Sequence, residues 1–158
     1  MKALFPDFTA FANRVAIFDG RVGNENIVTY RRLESAIEVY REEFKSRGLK
    51  RGDRLCLLSE NRFEWAAVFY ACLAEGFVLV PLDLKGIPSD WLKIVEDCQP
   101  KILVASSLGQ SEIQNANGKA TALHDLLHSL EAKNFDRNLK LSELAESHPE
   151  DTAVLIYT

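Results

Sequence analysis

The sequence predicts an α/β fold: a mostly parallel sheet with helices on both faces, preceded by a small N-terminal β-hairpin. Three observations carry that prediction. Short apolar runs recur at Leu55-Cys56-Leu57-Leu58, Phe77-Val78-Leu79-Val80 and Ile102-Leu103-Val104. They are continuous rather than alternating, as expected of strands covered on both faces. Between them, apolar residues fall at spacings of three and four, the period of an amphipathic helix. Strand and helix therefore alternate, with glycine at several turns, which is the pattern of a doubly wound sheet. The 158 residues make about one domain, and 47% hydrophobic against 27% charged residues is the balance of a folded chain.

Taken in order, Val15-Ala16-Ile17-Phe18 reads as a strand and Ile27-Val28-Thr29 as its hairpin partner, with Asp19-Gly20 or Gly23-Asn24 at the turn. From Tyr30 the period changes. Leu33, Ile37, Tyr40 and Phe44 share one helix face, with Thr29 as N-cap and Gly48 as the stop. After the strand at 55–58, Asn61 is expected to cap a second helix, with Glu64 three residues on as its capping-box partner. Trp65, Val68, Phe69, Cys72 and Leu73 form the apolar face of that helix, and Gly76 ends it. The strand at 77–80 is expected to end at Pro81. Ser89 then caps a third helix bearing Trp91, Leu92 and Val95, which must stop before Pro100. Past Ser106 a short helix is expected over 107–114. Thr121-Ala122-Leu123 reads as a strand and 123–130 equally as helix; 141–146 reads as one helical turn. The run Thr152 to Thr158 is a strong strand candidate.

Charge and motifs exclude several function classes. With 19 Lys+Arg against 23 Asp+Glu the net charge is −4, and no basic stripe suited to nucleic acid is present. No segment reaches the roughly 20 apolar residues of a membrane span, and no secretory leader is recognisable at Met1 to Phe18. Cys56, Cys72 and Cys98 are widely spaced and odd in number, so they read as small buried hydrophobes in a reducing, cytoplasmic protein. The eight glycines contain no GxGxxG. Gly118-Lys119 lacks the upstream glycine and the following Ser or Thr of a phosphate loop. His124 and His128 would share a helix face, but no third ligand stands nearby, and a solvated face is favoured over a metal site. The basic residues Lys45, Arg47, Lys50, Arg51 and Arg54 surround a turn and read as a solvated loop. Asp83, after a strand end, reads as a turn cap.

Four stretches in order carry a resemblance. They are Val28-Thr29-Tyr30-Arg31-Arg32-Leu33; Arg51-Gly52-Asp53-Arg54-Leu55 leading to Ser59-Glu60-Asn61-Arg62; Leu73 through Asp83; and Asp151 through Thr158. Together they resemble the amino-terminal part of AMP-forming adenylating enzymes, the acyl-CoA synthetase and AMP-dependent ligase family, with wording closest to its fatty-acyl-CoA ligases. Arg32 departs from the pattern, since an acidic residue is common before that leucine. A cation there also opposes the helix dipole slightly.

The resemblance implies one α/β domain over residues 1–158, an N-terminal subdomain ending just before the phosphate-binding loop. It implies a parent enzyme that uses ATP and Mg²⁺ to convert a carboxylate into an acyl-adenylate, and coenzyme A to form the thioester. Thr158 would begin the phosphate loop, with Tyr157 beside it. The resemblance places no catalytic residue and no metal ligand in this chain, so the isolated chain is expected to bind no cofactor and to be inactive. Its partner would be the remainder of the parent enzyme, and an uncovered apolar strand at 152–156 is expected to favour a homodimer or domain swap. A non-catalytic, stand-alone α/β interaction or scaffold module is the alternative reading.

Overall fold

The computed structural model describes residues 5–19, 27–115, 127–130, 135, 139–141, 143–146, 148 and 150–157. Asp7 opens the fold by accepting from Ala10 N at 2.8 Å, which caps a single helical turn, α1 (Phe8–Phe11). The expected hairpin follows as β1 (Val15–Phe18) and β2 (Ile27–Thr29), paired antiparallel. Thr29 then caps α2 (Tyr30–Ser46), its hydroxyl accepting from Arg32 N at 3.3 Å. Arg32, the odd cation of that first turn, lies over the Phe63 ring with its guanidinium carbon 5.3 Å from the centroid. A cation held against an aromatic face gains some of what the dipole costs it.

The main sheet contains β3 (Arg54–Leu58), β4 (Val78–Leu82), β5 (Ile102–Ala105) and β6 (Leu127–Ser129), all parallel, in the order β4-β3-β5-β6. The crossovers are α3 (Phe63–Glu75) and α4 (Pro88–Cys98), and α5 (Ser107–Asn115) follows β5. Strand parity sorts the core. Leu55, Leu57, Leu79, Ile102 and Val104 face α2 and α3, packing with Ile37, Tyr40, Phe44 and Val68. Cys56, Leu58, Val80, Leu82, Leu103 and Ala105 face the other way, onto Trp91, Val95, Cys98 and Ile113 of α4 and α5. Helices thus cover both faces, as predicted, and each large apolar side chain so buried contributes about 1.5–3 kcal/mol.

Several local expectations are corrected. The α3 cap is Arg62, with no side-chain acceptor of its own, in place of Asn61. The first amide of that helix, Phe63 N, instead donates to Asp19 Oδ2 at 3.2 Å, a carboxylate supplied by the hairpin. Glu64 takes the Arg62 guanidinium at 2.7 Å instead of closing a capping box. Helix α4 begins at Pro88 behind Ile87, not at Ser89, because proline's fixed φ and missing N–H suit a first helical position. Strand β4 runs through Pro81 to Leu82. Leu79 turns its N–H to the outer edge of the sheet, and Pro81, two residues on, turns its nitrogen the same way, so pairing with β3 loses no bond.

The segment 141–146 shows no helix at its described residues. It is held instead by α2 and α3: Leu141 N donates to Glu34 Oε1 at 3.0 Å and Ala145 N to Ala74 O at 2.8 Å. The short helix after Ser106 forms as expected. His128 lies in β6 opposite Val104, so the helix face it was to share with His124 does not exist at that position. His124 and Thr121 to Leu123 lie outside the described residues.

Candidate functional site

Sequential crossovers that leave a parallel sheet in opposite directions open a crevice at the carboxyl ends of the strands. Here the chain leaves β3 through α3 on one face and β5 through α5 on the other. Ser59, Glu60 and Ser106 stand where those strands end. The Ser106 hydroxyl donates to Glu60 Oε2 at 2.6 Å and accepts from Gly109 N at 3.1 Å, while its backbone N–H donates to Leu58 O at 3.1 Å. Glu60 also faces Arg62 at 3.4 Å, and Arg62 faces Glu64. Gly109 is needed for this closure, since a Cβ there would lie 2.5 Å from the Leu58 carbonyl oxygen. The crevice is therefore closed by its own side chains into one continuous polar chain, and α5 is seated directly on the end of β3.

At the end of β4, Asp83 is the turn cap the sequence suggests. Its carboxylate accepts from Lys85 N at 2.9 Å, and its carbonyl accepts from Gly86 N and from the Trp91 indole at 2.8 Å. Four of the five basic side chains around the 47–54 turn are likewise engaged structurally. Lys45 reaches Glu75 at 3.2 Å, Arg47 reaches Glu43 at 2.9 Å, Arg51 binds Asp151 and the Glu146 carbonyl, and Arg54 donates to the Cys98 carbonyl.

Those Arg51 bonds lead the terminal segment along the outer edge of β4. Leu79 N donates to Ala153 O at 3.0 Å and Leu155 N donates back to Leu79 O at 2.9 Å, a parallel bridge centred on Val154. The expected strand over 152–158 is thus a single bridge at its described residues, and Pro81 gives the reason: its nitrogen offers no proton where the next edge bond would form. Val154 packs against the α2/α3 core and Leu155 against the α4 core, whereas Ile156 is 74% exposed.

Of the two site residues read from the sequence, Thr158 lies outside the described residues. Tyr157 is 37% exposed, and its phenol donates to Asp97 Oδ2 on the last turn of α4. That bond to a carboxylate pushes the phenol up to about 12, so the proton stays on the oxygen throughout the physiological range. Tyr157 therefore pins the segment to α4.

Three features have no signal in linear spacing: the Asp97 anchor, the Ser106–Glu60 chain, and the approach of Cys56 to Cys98, whose sulfurs lie 3.7 Å apart although 42 residues separate them. Each joins residues on different elements. All three cysteines are buried, as expected. Among the described residues, no group of three or more His, Cys, Asp or Glu side chains is arranged to hold a metal ion.

A hairpin followed by a doubly wound parallel sheet, with an edge segment running parallel to β4, defines the class of architecture as doubly wound α/β, and the comparisons specify the family. The chain belongs to the family of AMP-binding enzymes, whose model matches residues 4–158. A 3-hydroxybenzoate/4-hydroxybenzoate CoA ligase of Thauera aromatica is 29% identical over 79 residues, covering 50% of this chain and 15% of that protein. The long-chain-fatty-acid CoA ligase FadD15 of Mycobacterium bovis is 27% identical over 126 residues, covering 72% of this chain and 21% of its own length. The solved anthranilate CoA ligase AuaEII superposes with a TM-score of 0.78 at 22% identity, over 94% of this chain and 29% of that one, which shows the shared fold. The chain thus spans less than a third of the length of these relatives.

Proposed function

We propose that residues 1–158 form the amino-terminal subdomain of an ATP-dependent, AMP-forming ligase that activates a carboxylic acid, an acyl-CoA synthetase of the fatty-acyl type acting in the cytoplasm. The observation that carries this reading is the family match across residues 4–158, supported by relatives named as CoA ligases. In such a reaction ATP converts a carboxylate oxygen into a leaving group, and a thiol then displaces AMP from the acyl carbon. Charge moving onto pyrophosphate must be met by preorganised donors.

Ser106, Glu60 and Tyr157 are not free for that task. The Ser106 hydroxyl proton is given to Glu60, Glu60 is engaged by Ser106 and Arg62, and the Tyr157 phenol is committed to Asp97. No step of the chemistry is therefore routed through them. Their role in the proposal is to position. The bridge at Leu79 and the Tyr157–Asp97 bond aim the chain at Thr158, where the phosphate-binding loop would begin. ATP, Mg²⁺ and coenzyme A belong to the whole enzyme, whose remainder is the natural partner of this subdomain. No helix among the described residues is long and apolar enough to cross a membrane.

The test measures pyrophosphate release with ATP, Mg²⁺ and a panel of carboxylic acids, and thioester formation with coenzyme A. The product of the complete gene is expected to release pyrophosphate only when acid is present. The 158-residue chain is expected to release none, and to self-associate in light scattering through the edge that carries Ile156. A complete gene product that neither releases pyrophosphate nor forms a thioester would overturn the ligase reading in favour of a non-catalytic interaction module. A monomeric chain would overturn the self-association.

A further inference from the structure

Strand β3 lies at the centre of the sheet, with β4 and β5 on either side. Cys56, in the middle of β3 opposite Val80 and Leu103, points toward α4. Cys98 is the last residue of α4, and the following Gln99 takes a left-handed φ of 44° that ends the helix. The two sulfurs meet at 3.7 Å, both thiols reduced. A disulfide needs them at about 2.05 Å, a closure that a helix end can make by a small shift while a central strand stays fixed. The two thiols also differ in environment. Cys56 is wholly buried, while Cys98 is 5% exposed at the end of α4.

We infer that Cys56 and Cys98 form a redox-sensitive dithiol that a hydroperoxide converts into a disulfide, tying the last turn of α4 to the middle of β3. The charged groups around Cys98 set the order of events. Arg54 donates to the Cys98 carbonyl and places its guanidinium beside the thiol, whereas Asp97, which holds the Tyr157 phenol, opposes it. Contact with the Cys56 sulfur, and with it Arg54, lowers the Cys98 thiol below its ordinary value against burial and Asp97, while the same contact and burial raise Cys56. The thiolate, not the thiol, is the nucleophile, so Cys98 reacts first.

In the first step the Cys98 thiolate attacks the distal peroxide oxygen. The O–O bond breaks, the expelled alkoxide or hydroxide takes up the proton that the Cys98 thiol released and leaves as alcohol or water, and Cys98 becomes a sulfenic acid. In the second step the sulfur of Cys56 attacks that of Cys98. The S–O bond breaks, and the leaving hydroxide takes the Cys56 proton as water. Two thiols are oxidised by two electrons and one hydroperoxide is reduced. Cys72 takes no part, because it packs in the core on the opposite face of the sheet.

The chemistry needs only these two sulfurs and the hydroperoxide, and is independent of any ligase activity. It is tested by treating the protein with hydrogen peroxide, alkylating the remaining thiols and mapping the peptides by mass spectrometry. The expected result is the loss of two hydrogens, a peptide pair joined through Cys56 and Cys98, alkylation of Cys72 alone, and reversal by dithiothreitol. In Cys56→Ser, Cys98 should stop at the sulfenic acid and be captured by dimedone; in Cys98→Ser, Cys56 should stay unoxidised. A bond to Cys72, or a pair that remains fully alkylatable after peroxide, would overturn the inference. Should either variant fail to fold, phenylarsine oxide on the unmodified protein decides. Bridging by arsenic should protect both sulfurs from alkylation, and failure to protect them would overturn the proximity on which the chemistry depends.

Discussion

On the face covered by α2 and α3, Arg41 is 1% exposed, yet it holds Glu38 at 2.8 Å, Glu75 at 2.6 Å and the Glu143 carbonyl at 2.8 Å. Tyr40 on the same helix donates to Leu130 O at 2.6 Å, 90 residues away. On the face covered by α4 and α5 no buried ion cluster of that kind is found among the described residues. Trp91 reaches back eight residues to Asp83, and closure depends on fit: Gly109 against Leu58, and the two sulfurs of Cys56 and Cys98. The first face gathers remote segments with buried charge, where unpaired partners are costly. The second is seated by shape, where an added or lost atom is what is felt.

The largest test of that difference is Arg41→Ala, which would leave the buried Glu38 without its cation and the half-buried Glu75 with Lys45 alone. A loss of about 3–5 kcal/mol in urea unfolding is expected. Arg41→Met combined with Glu38→Gln and Glu75→Gln should recover much of it. A loss below about 1 kcal/mol, the size of an exposed pair, would mean the charge cluster does not hold this face.

Gly109→Ala should be smaller, about 1–3 kcal/mol, since its Cβ must displace α5 from the end of β3. Hydrogen exchange should show the loss confined to β5 and α5. Loosening that spreads equally to α2 and α3 would erase the distinction between the faces.

The smallest effect is electrostatic and sits at the margin of the second face. The Tyr157 phenol, raised from 10 to about 12 by Asp97, should titrate near 12 in a difference spectrum against Tyr157→Phe, and Asp97→Asn should bring it back toward 10. Because the folded value lies above the unfolded one, the anchor's contribution is complete below about pH 10 and fades as pH rises through about 12. An unchanged titration in Asp97→Asn would show that the segment is not held at α4.

Much of the architecture was legible from periodicity. Three continuous apolar runs marked β3, β4 and β5, and the spacing of Leu33, Ile37, Tyr40 and Phe44 marked α2 because one face of a helix must be apolar to pack. Thr29 and Gly76 were legible as caps, since each acts through its own neighbouring backbone. Asn61 and Ser89 failed as caps for the converse reason. Asp19, brought in by the hairpin, already serves the first amide of α3, and Pro88 has no amide to serve. The candidate site was less legible. Tyr157 could be singled out by resemblance, but its partner Asp97 lies 60 residues away on another element.

The sequence by itself therefore determined the strands and helices from β1 through α5, because the apolar runs and spacings that mark them depend on residues a few positions apart. Tertiary structure alone decided the strand order β4-β3-β5-β6, the docking of 153–155 on Leu79, the gathering of Glu38, Glu75 and Glu143 around Arg41, and the meeting of Cys56 with Cys98. These depend on how crossovers pack against the sheet, and no local spacing records where a helix end will come to rest.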